Sequence, residues 1–313
     1  MSISLIIGAG GQDGRLLVDL LNEQNEKVWQ VGNGWFQRPG GEKEVGSIKD
    51  EAQVRSLIQQ SRPDRIFYLA AYHHASSQKE SIEEEEIWGK SEEVHLHYFR
   101  RFLNAVIAEK LNPHIFYAAS SLVFGSPTAG LQNEESELRP ICVYGITKTM
   151  GVHLAKWYRA EKKLKISVGY LYTHESALRG ENFVAKKIVR ELKEISRKER
   201  KEMVLGDLSA QVDWGYAPDY VRAMELISRN PQGEDYIIAT GESHGVGEFA
   251  EIVCDELGIA FKEVVKEDCS KLVRKKRNLV GDPQKLKNLG WRPSLNFKEM
   301  VRKLLHESNG QTV

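Results

Sequence analysis

Residues 3–14 of the chain read ISLIIGAGGQDG, and this stretch decides the fold. A short apolar run leads directly into three glycines spaced three apart, Gly8, Gly11 and Gly14, and a helical pattern follows. When glycines join a strand to a helix in this way, the backbone turns tightly, and its N–H groups and the helix dipole bind a pyrophosphate. The stretch therefore predicts the first strand, turn and helix of a dinucleotide-binding sheet.

The alternation of strand and helix continues through the first half of the chain. Strand-like runs are KVWQVG, RIFYLAAY and HIFYAASS, and amphipathic helical patterns such as EAQVRSLIQQS and YFRRFLNAVIAEK separate them. Repeated βαβ units with right-handed crossovers favour an α/β fold with a Rossmann-type doubly wound parallel sheet. We assign residues 1–166 to this dinucleotide-binding domain. Residues 167–313 are assigned mostly to a smaller, mixed α/β substrate-binding region, and some of its segments are expected to return to the sheet.

Composition narrows the classes of partner. The 313 residues include 44 Lys and Arg against 44 Asp and Glu, so net charge gives no general attraction to nucleic acid or anionic lipid. No apolar run approaches the ~20 residues that a bilayer span needs. Three cysteines without C-x-x-C spacing argue against a disulfide framework or a structural zinc site. We expect a cytoplasmic protein that binds a small molecule and no metal, nucleic acid or membrane.

A second motif combines a tyrosine with a lysine. Tyr144 and Lys148 are four residues apart, so they share one face of a helix. A phenol has a pKa of about 10 and is a poor base at neutral pH. An ammonium about 4 Å away favours the phenolate by on the order of 4 kcal/mol, which would make Tyr144 a usable proton carrier. Because Ser120 and Ser121 end the preceding strand, these four residues are the candidate catalytic set.

The end of the second strand bears on the choice of cofactor. An acidic residue here usually binds the ribose 2′-hydroxyl of NAD, whereas an arginine accommodates the 2′-phosphate of NADP. This chain has Gly32-Asn33-Gly34, and Asn33 can hydrogen-bond a hydroxyl but cannot neutralise a phosphate. The nearest cation, Arg38, lies beyond two aromatic residues. The sequence therefore leans towards NAD over NADP.

These motifs resemble those of extended short-chain dehydrogenases/reductases, and within that group those of the GDP-mannose 4,6-dehydratase family. The resemblance runs along almost the whole chain, and HES-x-x-RGE-x-F is particular to this family. The stretches that carry it are GAGGQDG, RPDRIFYLAAYHHA, YGITKT, YLYTHESALRGENFVAKKI, LGDLSAQVDWGYAPDYVRAM, YIIATGESHGVGEFAE and GDPQKLKNLGWRPSLNFKEMV.

The resemblance implies roles for individual residues. Tyr144 would be the acid/base residue, Lys148 would hold the nicotinamide ribose, and Ser120 would hydrogen-bond the sugar hydroxyl at C4. The expected cofactor contacts are Gly8, Gly11, Gln12, Asp13, Gly14, Asn33, Leu69, Ala70, Ala71, Lys148, His174 and Arg179. The expected contacts to the nucleotide sugar are Ser120, Tyr144, Asn182, Lys187 and Arg274.

The chain departs from the family pattern at the residue that catalyses the loss of water from the sugar. Leu122 stands in place of a glutamate that removes the proton at C5 and assists loss of water from C6. General acid/base catalysis of this kind contributes about 10²–10⁴-fold, and a leucine cannot supply it. Val212 replaces an arginine that precedes Asp-Trp-Gly in the family. What remains is the set of residues for hydride transfer at C4.

The first hypothesis is therefore an NAD(P)-dependent oxidoreductase that acts at C4 of a nucleotide-diphosphate sugar, GDP-linked and of the manno type. A 4-dehydrogenase, a 4-keto reductase and an epimerase would all use the same residues. Two alternatives stay open. A true 4,6-dehydratase would take its carboxylate from another loop, with Glu134, Glu135 and Glu137 as the candidates, and a non-catalytic protein would bind the dinucleotide as a scaffold.

The resemblance also implies a homodimer. In the family, the helix around residues 98–110 and the helix that carries Tyr144 pair with their copies. Phe99, Phe102, Leu103 and Val106 would then be half buried by the partner.

Overall fold

The computed structural model describes residues 2–72, 83–127, 130–271 and 279–307. The strands are β1 (Ile3–Ile7), β2 (Lys27–Gly32), β3 (Trp35–Gln37), β4 (Lys43–Val45), β5 (Arg65–Tyr68), β6 (His114–Ala118), β7 (Lys165–Leu171), β8 (Thr173–Glu175), β9 (Met203–Leu205), β10 (Gln211–Val212), β11 (Trp214–Tyr216), β12 (Asp235–Ile238), β13 (His244–Gly245) and β14 (Val265–Glu267). The helices are α1 (Gln12–Glu23), α2 (Glu51–Ser61), α3 (Glu84–Glu92), α4 (Phe99–Ala108), α5 (Val143–Lys162), α6 (Val184–Ser196), α7 (Ala217–Arg229), α8 (Val246–Leu257), α9 (Phe261–Val264), α10 (Gln284–Asn288) and α11 (Phe297–Glu307). A π-helical turn (Glu93–Tyr98) separates α3 from α4, and 3₁₀ turns occupy Ser121–Phe124 and Cys269–Lys271.

In the described ranges, eight strands form one sheet in the order β12-β7-β6-β5-β1-β2-β3-β4. The strands from β12 to β2 are parallel, whereas β3 and β4 extend the edge as antiparallel strands. The predicted Rossmann-type α/β fold is confirmed. The winding reverses at β1, because the chain passes from β1 to β2 on one side and returns to β5 on the other. Ligands of such sheets bind at the carboxyl ends of the strands that flank this switch point.

In the part of the chain that the structure describes, three apolar cores hold the layers together. One face of the sheet packs against α2, α4 and α5, and the other packs against α1 and α7. The third core joins α6, α8 and α11 around Trp214, away from the sheet. β12 and α7 come from the second half of the chain and belong to the sheet and its cover. The domain boundary at residue 166 stays a prediction.

The apolar face of α4 packs against the chain's own core. Phe99, Phe102, Leu103 and Val106 are at most 1% exposed, and the ring centroid of Phe99 lies 4.5 Å from that of Tyr117. The prediction that a second copy half buries these four residues is wrong, because the sheet already covers them. An amphipathic pattern identifies the face that is buried but not the surface that buries it. The homodimer itself stays a prediction.

No helix in the described residues is sufficiently long and apolar to cross a membrane. Within the same residues, no group of three or more histidine, cysteine or acidic side chains is arranged to hold a metal ion.

Candidate active site

A large cavity opens at the carboxyl ends of the parallel strands. Its volume is about 1830 Å³, whereas a pocket for one small ligand has at most about 1,000 Å³. The cavity therefore has room for a dinucleotide and a second nucleotide together. It is lined by these predicted site residues: Gly8, Gly11, Gln12, Asp13, Gly14, Asn33, Leu69, Ala70, Ala71, Ser120, Ser121, Tyr144, Lys148, His174, Arg179, Asn182 and Lys187. Arg274 lies outside the described residues.

The glycine loop allows three backbone segments to meet closely. Gly8 has a φ of +96°, and a Cβ there would lie 2.7 Å from the backbone nitrogen of Ala70. A Cβ on Gly14 would lie 2.2 Å from the carbonyl oxygen of Gly8. Only glycine fits both positions, so the start of α1 and the loop after β5 close around the end of β1. This arrangement fits a dinucleotide, whose pyrophosphate would lie against the backbone N–H groups at the start of α1.

The tyrosine, lysine and serine of the candidate catalytic set line the same part of the cavity. Tyr144 lies in the first turn of α5, and the Nζ atom of Lys148 is 5.8 Å from the centroid of the Tyr144 ring. Lys148 is 1% exposed and donates a hydrogen bond of 2.8 Å to the carbonyl oxygen of Ala118. The Ser120 Oγ atom accepts the backbone N–H of Leu122 at 3.2 Å. The first 3₁₀ turn therefore holds Ser120 at the end of β6, beside α5.

Burial changes how Lys148 titrates, and this predicts a pH dependence of stability. Burial lowers the pKa of Lys148 to about 7, whereas the pKa of a lysine in an unfolded chain is about 10.4. Between these values the unfolded chain binds more protons than the folded chain, so stability rises with pH. We expect Lys148→Met to raise the melting temperature at pH 7 and to flatten its rise towards alkaline pH.

Calorimetry of the cofactor-free protein at several pH values measures both effects. Lys298, an exposed lysine of α11, offers a matched control, and Lys298→Met should follow the pH profile of the unchanged chain. If the melting temperature of Lys148→Met changes with pH in parallel with that of the control, burial of the Lys148 ammonium does not destabilise the folded chain, and the prediction is wrong.

His174 and Asp13 form a partly buried pair behind the glycine loop. The Nε2 atom of His174 is 3.0 Å from both carboxylate oxygens of Asp13, and Nδ1 is 2.6 Å from the carbonyl oxygen of Tyr172. Both ring nitrogens therefore face acceptor oxygens. Burial opposes ionisation of Asp13, but the charge and hydrogen bond of His174 outweigh it and lower the pKa of Asp13. The pair connects β8 to the first turn of α1.

The other end of the cavity carries basic side chains from α6 and the loop before it. The guanidinium of Arg179 lies 3.6 Å from the ring centroid of Phe183, and its Nε atom is 3.4 Å from Glu175 Oε2. Lys187 donates a hydrogen bond of 2.9 Å to the carbonyl oxygen of Val204. Arg190 also lines this end. Such cations suit a diphosphate.

The three glutamates considered as substitutes for the missing carboxylate do not line the cavity. Glu134 accepts the backbone N–H of Ile237 at 2.8 Å, on β12, and Glu137 pairs with Arg139 at 2.6 Å. Glu135 is exposed. None of the three is therefore placed to act in this cavity, and the dehydratase that would use one of them stays an untested alternative. Leu122 itself does line the cavity.

Trp35 and Glu175 are among the residues that line the cavity but carried no assignment from the sequence. Trp35 covers the end of β2, since a Cβ on Gly32 would lie 1.9 Å from its indole ring. Glu175 is 2% exposed, and burial raises the pKa of its carboxyl despite the nearby charges of Arg179 and His174. Glu175 lies within the HES motif and could have been singled out there. No local sequence pattern predicts that Trp35 lines the cavity, because its position depends on the hairpin of β2 and β3.

The α/β fold, the glycine loop and a cavity with room for two nucleotides identify the class of enzyme. The protein is an NAD(P)-dependent, nucleotide-sugar-modifying enzyme of the short-chain dehydrogenase/reductase type. Residues 5–304 match the family model described as GDP-mannose 4,6 dehydratase. The chain belongs to this family.

Individual relatives agree with this placement. The chain is 31% identical to GDP-mannose 4,6 dehydratase 1 of Arabidopsis thaliana, over 97% of this chain and 89% of that protein. It is 30% identical to GDP-mannose 4,6 dehydratase of Homo sapiens, over 97% and 91%. Among solved structures, RMD from Pseudomonas aeruginosa complexed with NADPH superposes with a TM-score of 0.83 at 16% identity, over 99% of this chain and 100% of that chain. UDP-glucose 4-epimerase of Thermus thermophilus in complex with NAD superposes with a TM-score of 0.81 at 21% identity, over 99% of each chain.

Proposed function

We propose that the protein oxidises or reduces C4 of a GDP-linked sugar of the manno type and does not remove water from it. The observation that carries this proposal is the lining of the cavity beside Tyr144. Ser120, Ser121, Tyr144 and Lys148 meet there, and the neighbouring cavity residue Leu122 has no group that can move a proton. The GDP linkage is supported by relatives that are named for GDP-mannose.

The chemistry at C4 uses few groups of the chain. When bound, the nicotinamide supplies the hydride acceptor or donor. In the oxidative direction the C4–H and O–H bonds break: the hydride leaves C4, and Tyr144 takes the proton of the hydroxyl. Lys148 stabilises the Tyr144 phenolate, and Ser120 hydrogen-bonds the oxygen on C4. The proton at C5 stays in place because Leu122 cannot accept it, so the sugar keeps its oxygen at C6.

NAD is the proposed cofactor. At the end of β2, Asn33 and the indole of Trp35 line the cavity where a ribose 2′-substituent would lie. Lys43 lies over the Trp35 ring, with Nζ 4.3 Å from the centroid, and Arg38 is 3.9 Å from Glu44. These two cations are therefore engaged by neighbouring side chains. A ribose hydroxyl suits this surface better than a phosphate.

Mass spectrometry of GDP-mannose after incubation with the purified protein tests the reaction. Separate incubations contain NAD or NADP, and UDP-glucose serves as the control sugar. We expect the loss of two hydrogens from GDP-mannose, faster with NAD. An epimerase would leave the mass unchanged and produce a new chromatographic peak.

Loss of one water would contradict the proposal and favour the dehydratase. In that case Glu175, a buried carboxyl that lines the cavity and has a raised pKa, would be the first residue to replace.

A homodimer and a cytoplasmic location complete the proposal. The exposed apolar side chains Ile107 on α4 and Trp157 on α5 offer a different surface for the same two helices. A strictly monomeric mass in solution would contradict the dimer.

A further inference from the structure

A buried histidine lies directly behind the candidate catalytic tyrosine. His95 is fully buried and belongs to the π-helical turn Glu93–Tyr98. π-helical turns are rare, and they occur frequently at functional sites. His97 lies on the same turn but is exposed. The turn therefore directs one of its two histidines into the protein.

The hydrogen bonds of His95 define its tautomer. Its Nε2 atom accepts the backbone N–H of Tyr72 at 3.1 Å, so this nitrogen carries no proton. Its Nδ1 atom is 2.8 Å from the Oγ1 atom of Thr147, whose own proton is donated to the carbonyl oxygen of Val143 at 2.9 Å. Nδ1 is therefore the donor to Thr147. The neutral ring uses one nitrogen as an acceptor and the other as a donor.

These two bonds join the walls of the active site. Tyr72 belongs to the segment that follows β5 and lines the cavity, and Thr147 lies on α5 between Tyr144 and Lys148. The ring of His95 also meets the Tyr144 ring edge-on, with centroids 5.1 Å apart and planes at 82°.

The backbone of His95 adds a third connection. Its carbonyl oxygen accepts the hydroxyl of Tyr117 at 3.1 Å, and the Nζ atom of Lys148 is 5.2 Å from the centroid of the Tyr117 ring. A Cβ on Gly151 would lie 2.8 Å from this carbonyl oxygen and 2.0 Å from the Tyr117 hydroxyl. Glycine at that position lets α5 approach the π-helical turn.

We infer that His95 is a positioning residue, which sets the orientation of the Tyr144 phenol relative to the cofactor-binding loop after β5. This inference rests on the proposed role of Tyr144. A side chain that packs against the phenol and bonds to both walls resists rotation of the phenol and separation of the walls. Reacting groups displaced by about 1 Å can lose about 100-fold in rate, so such a contact has a measurable effect.

Three variants separate positioning from packing. His95→Phe keeps a planar ring but loses both hydrogen bonds, whereas His95→Asn keeps an amide donor near the Nδ1 position, which faces Thr147. His97→Phe is the matched control, because it makes the same change at the exposed histidine of the turn. If His95→Phe does not fold, Thr147→Val replaces it, since this variant removes the Nδ1 partner at nearly constant volume.

With GDP-mannose and NAD, we expect kcat of His95→Phe to fall by about 100-fold while KM changes by less than about threefold. His95→Asn should recover most of the rate, and His97→Phe should retain all of it. Equal kcat values for His95→Phe and His97→Phe would overturn the inference, as would a failure of His95→Asn to recover.

A second readout needs no substrate. In protein labelled with carbon-13 at the tyrosine Cζ atoms, the Tyr144 signal is assigned by its loss in Tyr144→Phe and then titrated with pH. We expect its midpoint to move in His95→Phe and to stay in place in His97→Phe. If GDP-mannose does not react, oxidation of this sugar fails as the proposed reaction, but a moved midpoint still supports the positioning role and an unmoved one overturns it.

Discussion

Tyr144→Phe is expected to lower the rate of hydride transfer at C4 by about 10²–10⁴-fold, which is the usual contribution of a general acid/base group. The substitution removes only the phenolic oxygen, and the ring can keep its edge-on contact with His95. The proton of the C4 hydroxyl then has no acceptor beside Lys148. Single-turnover absorbance of the nicotinamide, at saturating NAD and GDP-mannose, measures the loss.

Tyr98→Phe is the matched control for this experiment. Tyr98 lines the same cavity, and its hydroxyl donates to Glu93 at 2.8 Å. We expect this variant to keep the rate of the unchanged protein under the same conditions. If Tyr144→Phe retains full activity in every assay, the dinucleotide serves as a scaffold and the proposed mechanism is wrong.

Gly14→Ala is expected to destabilise the folded chain by about 1–3 kcal/mol or more, as overpacked sites do. Its Cβ would lie 2.2 Å from the Gly8 carbonyl oxygen and 2.6 Å from the Ala9 Cα, both of which are backbone atoms that cannot rotate away. Helix α1 would have to move away from β1, and the pyrophosphate cradle would widen. Denaturant unfolding of the cofactor-free protein gives the free energy, and NAD titration gives the accompanying loss of affinity.

The same loop provides the stability control. A Cβ on Gly10 would meet only the Trp35 ring, at 3.8 Å, so Gly10→Ala is expected to leave the free energy of unfolding nearly unchanged. Equal stabilities of the two variants would show that close approach at Gly14 does not constrain the loop.

The reaction that we propose, oxidation without dehydration, differs from the activity for which the family of this chain is named. This proposal rests on Leu122, which lines the cavity on the 3₁₀ turn after β6, and on Glu134, which accepts a hydrogen bond from β12 and does not line the cavity. A family model that spans residues 5–304 identifies the overall fold and the class of enzyme. The individual reaction depends on a few side chains at the sugar.

Some of the site could be anticipated because its spacing is local. Gly8, Gly11 and Gly14 follow one another within a single strand-to-helix turn, and Tyr144 and Lys148 lie one helical turn apart. In both cases the spacing within a short segment determines which residues lie together, because strands and helices have fixed periods. The parallel sheet followed from the same periodicity repeated along the chain.

Other features depended on contacts between distant segments. His174 pairs with Asp13 across 161 residues, and His95 joins Thr147 across 52. The apolar stripe with Phe99 was visible in the sequence, but only the tertiary structure shows that the sheet covers it. Local periodicity determines which face of an element is apolar and which residues share it. Tertiary packing determines which other element covers that face. It also determines which residue each buried nitrogen or oxygen contacts, because these contacts form only when distant parts of the chain come together.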